Sequence, residues 1–118
     1  MPKFPLVAIV QMRSSEDKME NLELSVGFIR EAAKKKSNLI CFPEFQMAYS
    51  PVSQSANQLS EIAESVNDGN FITTLRKAAK VNKISIISTI YEKSNRGFDN
   101  RVYDTVVLID NKGGISSV

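Results

Sequence analysis

Pro43-Glu44 is the pair whose types and placement best suit chemistry. The residues before it, Leu39-Ile40-Cys41-Phe42, read as a short buried strand. A proline has no backbone N–H and holds its predecessor extended, so the ladder is expected to end there. Glu44 then falls just past the carboxyl end of a strand, where open α/β sheets bind ligands. A carboxylate at that place is either a general base or a solvated loop residue, and the rest of the sequence bears on the choice. There is no histidine and a single cysteine, Cys41. Ser-His-Asp and Cys-His machinery within these residues is therefore excluded, as is an intrachain disulfide. A zinc site would need carboxylates almost alone, which zinc seldom uses. Cys41 lies three residues before Glu44, inside the strand, and reads as a small core hydrophobe rather than a nucleophile.

Two further residues share the expected site. Tyr49 follows Glu44 by five residues in an irregular stretch. It either lines a pocket or packs on the surface as a loop aromatic. Glu92 ends another strand near the same sheet edge and reads first as a solvated or ion-paired residue.

The 118 residues suit one domain with a real core. Hydrophobic residues are 42% and charged residues 24%, which excludes wholesale disorder. Fifteen basic against thirteen acidic residues give a net charge of +2, too balanced to indicate nucleic acid or an anionic membrane. Lys34-Lys35-Lys36 reads as a solvated helix end complementing the dipole. No apolar run reaches spanning length and no secretory leader is visible, so the cytoplasm is the default expectation. Neither G-x-G-x-x-G nor a Walker lysine motif occurs, which argues against a nucleotide-binding α/β domain.

The elements that position Glu44 follow from periodicity. Residues 6–12 are a nearly continuous apolar run, expected to be a strand buried on both faces. Ser14 with Asp17 resembles a capping box, predicting a helix that runs to about residue 36. Its apolar stripe is Met19, Leu22, Val26, Ile29 and Ala33, widened by Leu24 and Phe28. The strand at 38–42 completes a βαβ unit with parallel neighbours. Residues 46–58 read as a long loop, 59–66 as a short helix with Leu59, Ile62, Ala63 and Val66 inward, and 67–70 as a turn. A helix over 71–81 is expected to bury Phe71, Leu75, Ala78 and Ala79. Residues 84–91 and 102–109 read as strands joined by a polar turn over 93–100, and 110–114 as a second turn. Residues 115–118 open a fifth strand. Short turns make the last three strands antiparallel.

Three stretches together resemble the nitrilase superfamily of carbon–nitrogen hydrolases. Val7-Ala8-Ile9-Val10-Gln11-Met12 is similar to its opening strand, and Leu39-Ile40-Cys41-Phe42-Pro43-Glu44-Phe45 to its glutamate motif. Arg101-Val102-Tyr103-Asp104-Thr105, followed by Leu108-Ile109-Asp110 and a glycine turn, is similar to the strands leading to its lysine motif. The resemblance implies an α/β fold: half of an α-β-β-α sandwich, with helices packed on a mixed β-sheet. It also implies hydrolysis of a small-molecule amide or nitrile through a Glu-Lys-Cys triad, with no cofactor and no metal. Glu44 matches the general base, which ionises a thiol that is mostly protonated at neutral pH. Tyr49 stands where many members carry a pocket tyrosine after glycine; Ala48 replaces that glycine here.

The family lysine and cysteine are expected beyond Val118. Residues 1–118 are thus read as the N-terminal part of the domain, inactive alone. The unfinished sheet edge invites pairing, with a second copy as a homodimer or with a C-terminal half. The alternative is a non-catalytic fragment or subunit of the same fold that acts by association.

Overall fold

The expected strand–helix–strand unit is present. β1 (Val7–Ile9) and β2 (Leu39–Cys41) are parallel neighbours joined through α1 (Lys18–Lys34). The computed structural model describes residues 4–94 and 101–118. After β2 the chain forms α2 (Ala56–Ile62), α3 (Asn70–Asn82), β3 (Ser85–Lys93), β4 (Val102–Ile109) and β5 (Ile115–Ser117). The five strands make one sheet in the order β1-β2-β3-β4-β5. β2 and β3 are parallel, whereas β3–β4 and β4–β5 are antiparallel as expected from the short turns. Most of the turn predicted over 93–100 lies outside the described residues. No helix among the described residues is long and apolar enough to cross a membrane.

The connections β1–α1–β2 and β2–α2–α3–β3 both step the same way across the sheet. Right-handed crossovers stepping in one direction carry their helices to one face. α1 and α3 accordingly pack side by side on that face. Strand alternation then sorts the side chains. The row Ala8, Ile40, Ile86, Ile109, aligned by register, faces the helices, and its three isoleucines are fully buried. The adjacent row, Ile9, Cys41, Ile87, Leu108, faces away and is only partly covered or open. The expectation that the first strand is buried on both faces is therefore corrected. β1 is a sheet edge with one uncovered face, and Ile9 is 79% exposed. For the same reason Cys41 is half-buried and lies outside the core.

Two helix readings also change. Asp17, not Ser14, caps α1: its carboxylate accepts the N–H groups of Met19 and Glu20. The buried face of α1 carries Asn21, Leu22, Ser25, Ile29 and Ala32, while Met19 and Leu24 are exposed. The stripe is rotated because two polar residues are buried for hydrogen bonding. α1 stops at Lys34, since Lys36 takes a left-handed φ of 66° and Ser37 N–H closes back on Ala32 O at 3.0 Å. The short helix begins at Ala56 rather than at residue 59. Ser55 and Gln58 form a capping box there, and the helix ends before Glu64, whose backbone bridges to β3. α3 buries the four residues expected of it, together with Ile72.

Candidate functional site

The ladder ends where the proline requires. Val10 N–H donates to Cys41 O and Phe42 N–H donates to Ile87 O, each at 3.0 Å, and Pro43 can add no further bond. Glu44 and Phe45 form a turn in which Phe45 adopts φ +64°. A bulky side chain in the left-handed region costs about 1–2 kcal/mol, so the surrounding packing must impose it.

That packing is a buried polar network absent from the sequence reading. Gln46 is fully buried. Its Nε2 donates to Ser25 Oγ at 3.1 Å, while its Oε1 accepts from Ser88 Oγ at 2.8 Å and from Thr89 N–H at 3.1 Å. Asn21, also fully buried, donates through Nδ2 to Ser15 O at 2.8 Å and Met47 O at 3.0 Å. Tyr49 N–H donates to Ser15 O at 2.8 Å, and Tyr91 Oη donates to Ala48 O at 3.1 Å. The segment after Glu44 is thus clamped between α1 and β3. The stretch before Ala56 is a loop as expected, but its residues 46–48 are core. Polar residues four apart on the α1 stripe, Asn21 and Ser25, and a glutamine between Phe45 and Met47 were the available signals.

Glu44 itself is exposed and makes no side-chain hydrogen bond or ion pair among the described residues. A carboxylate on a clamped turn with its oxygens uncommitted suits proton acceptance. The Tyr91 phenol lies within its field. Burial pushes that phenol up to about 12, Asp104 and then Glu44 add to the rise, and a hydrogen bond with Ser50 opposes it. Tyr91 therefore stays a neutral donor through the physiological range. The sequence placed it only at a strand end; its role depends on loop 46–50 folding back over it.

Tyr49 is held beside the turn. Its ring meets Phe45 edge to face, centroids 5.5 Å apart at 69°, and is partly open to solvent. Glu92 is not brought to Glu44 by any contact. Strand alternation turns it from the side carrying Tyr91, and Thr105 Oγ1 donates to its Oε1 at 2.7 Å. Glu92 is thus a partly exposed carboxylate that accepts a hydrogen bond across the strand pair. Among the described residues no group of three or more His, Cys, Asp or Glu is arranged to hold a metal ion. A concavity of about 690 Å³ lies between α1 and α3, lined by residues such as Val26, Arg30, Lys77 and Val81, with no residue of the Glu44 segment.

Comparison with known proteins agrees with this arrangement. The Carbon-nitrogen hydrolase family profile matches residues 6–118. A nitrilase and fragile histidine triad fusion protein, NitFhit, of Drosophila melanogaster is 29% identical over 113 residues, covering 95% of this chain and 23% of its own length. The NitFhit crystal structure from C. elegans superposes with a TM-score of 0.80 at 20% identity, over 94% of this chain and 26% of that one. An amidase variant from Nesterenkonia sp. AN1, in complex with butyramide, gives 0.66 at 21% identity, over 92% of this chain and 40% of that one. These structural likenesses show the fold: one sheet with its helix layer, half of the expected sandwich. The chain spans less than half the length of each of these relatives. By the extent of the profile match and the order of its elements, the chain belongs to the carbon–nitrogen hydrolase family.

Proposed function

We propose that Glu44 is the general base of a hydrolase that cleaves an amide or nitrile, working with a lysine and a cysteine outside these 118 residues. The observation that carries this reading is the clamped turn: an uncommitted carboxylate just past the end of β2, on backbone held by Gln46 and strained at Phe45. The chemistry has a clear order. The Glu44 carboxylate takes the thiol proton, and the thiolate attacks the carbonyl or nitrile carbon. The lysine stabilises the negative charge that develops on the substrate oxygen or nitrogen. For an amide, protonated Glu44 then returns its proton to the leaving nitrogen, and water hydrolyses the thioester. Tyr49, beside the turn, lines the substrate side. The open sheet face carrying Ile9 and Val106 is where the second layer of the sandwich lies in this reading.

The amide complex of the Nesterenkonia amidase makes butyramide a sensible first substrate. Ammonia release from butyramide should occur in the complete family domain and be absent from the 118-residue chain alone. In the complete domain, Glu44→Gln should lower kcat by about a thousandfold, the scale of general-base catalysis. A Glu44→Gln domain of undiminished kcat would refute the assignment. Turnover by the isolated chain would refute the need for the outside lysine and cysteine.

A further inference from the structure

The even charge balance conceals a segregation that only the fold reveals. Register places the β4–β5 turn at the amino-terminal end of the parallel strands, opposite Glu44. The C-terminal halves of α1 and α3 lie at that same end. There a concavity of about 270 Å³ is lined by Thr73, Arg76, Lys77, Lys80, Lys112 and Gly113. Four of the six are cations and none is an acid. Lys77 also lines the neighbouring α1–α3 groove, together with Arg30 and Lys34.

Helix-end lysines are ordinarily solvated partners of the dipole. This group differs in being held together by tertiary structure. Arg76 Nε donates to Gly113 O at 2.7 Å, seating the turn on α3. Gly113 has φ +86°, and a Cβ there would stand 2.8 Å from Arg76 O, so the turn sits directly against the helix. Asp110, the carboxylate nearest Lys112 in sequence, is committed to the turn: its Oδ1 accepts the N–H groups of Lys112 at 2.9 Å and Gly114 at 3.0 Å. None of the four cations has a carboxylate within ion-pair distance among the described residues. Like charges held close repel, and a multivalent anion relieves that repulsion. Guanidinium and ammonium groups with a threonine hydroxyl suit phosphate oxygens.

We propose that the concavity between α3 and the β4–β5 turn binds a small multivalent phosphate-type anion, free or as part of a larger molecule. The site is separate from Glu44 and independent of the hydrolytic reading. The test is titration of the 118-residue chain with tripolyphosphate near physiological salt, followed by calorimetry and amide chemical shifts. Saturable binding is expected, with shifts centred on residues 73–80 and 112–113. Affinity should fall about tenfold in Lys77→Gln/Lys112→Gln, the loss of charge-assisted hydrogen bonds, and stay within about twofold in Lys35→Gln. Among the described residues neither Lys77 nor Lys112 donates a side-chain hydrogen bond, so this double variant is expected to keep the fold, and its urea midpoint checks that. A second arm uses neutral vesicles carrying a phosphoinositide. Binding to both probes with the same variant dependence supports the shared chemistry. Binding to vesicles or to a DNA duplex without binding to tripolyphosphate overturns it. Absence of saturable binding overturns it too, as does equal loss in Lys35→Gln.

Discussion

At the scale of single residues, the candidate site rests on a division of labour between one exposed carboxylate and several buried polar groups. Among the described residues Glu44 has no side-chain partner, and its neighbours carry the positional burden. Gln46 fills three hydrogen-bonding roles at once, so its loss leaves Ser25, Ser88 and the Thr89 N–H without their partner in a dry site. Gln46→Leu should cost about 2–4 kcal/mol, the penalty for orphaning buried polar groups. Urea unfolding measures this, and a cost under 0.5 kcal/mol, the range of an ordinary surface change, would show that the network does not hold the turn. Tyr91 gives a second test. Its folded-state phenol is raised to about 12, above the ordinary value near 10. Between those values the unfolded chain has released the proton and the folded chain has not. The contribution is therefore intact below pH 10 and declines as pH climbs from 10 toward 12. Wild type should lose stability over that window more steeply than Tyr91→Phe, and parallel pH curves for the two would contradict the assignment. The position of Glu44 was legible because a proline after four apolar residues has one backbone consequence. Tyr91 and Gln46 were not legible, because each acquires its partners only when the chain folds back on β3.

At the scale of elements, local signals succeeded where one physical demand dominated and failed where two competed. Residues 102–109 were found at their observed bounds: β-prone residues between two turn signals leave little freedom. On α1 the apolar stripe competed with the need to bury Asn21 and Ser25, and the helix turned accordingly. Around α2 the stripe from Leu59 suggested a later start than the Ser55–Gln58 capping box allows. Glu64, placed in a helix by that reading, instead caps α3. Its Oε1 accepts Phe71 N–H at 2.7 Å, its Oε2 pairs with Lys18, and its backbone bridges to β3. One residue thereby ties α1, α3 and the sheet together, and Gly69, with no side chain of its own, serves as N-cap. A Cβ at Gly69 would lie 2.6 Å from Ser65 O and 2.7 Å from Glu64 Oε1. Gly69→Ala should therefore destabilise the chain by about 1–3 kcal/mol, although alanine ordinarily gains by restricting the unfolded state. A thermal midpoint at or above wild type would mean that the Glu64 bridge is not tight.

At the scale of the whole molecule, the winding of the sheet decides what is covered. Because both crossovers step in one direction, α1 and α3 occupy one face, and part of the other stays open. The apolar run at residues 6–12 was read as buried on both sides because composition reports a demand for burial and not which part of the fold meets it. Ile9 and Val106, 79% and 56% exposed, are the residues of that unmet demand. If a second sheet covers this face in the complete domain, one substitution should act differently in the two contexts. Val106→Lys in the 118-residue chain places a charge in solvent and should change stability by less than about 0.5 kcal/mol. Val107→Lys, one residue along and fully buried against the helices, should unfold the same chain. In the complete domain Val106→Lys would bury an unpaired ammonium, costing several kcal/mol and abolishing ammonia release. Urea midpoints of the chain and activity of the domain read the two effects separately. A Val106→Lys chain as damaged as Val107→Lys would show that the face is already covered. An active Val106→Lys domain would place the second layer elsewhere.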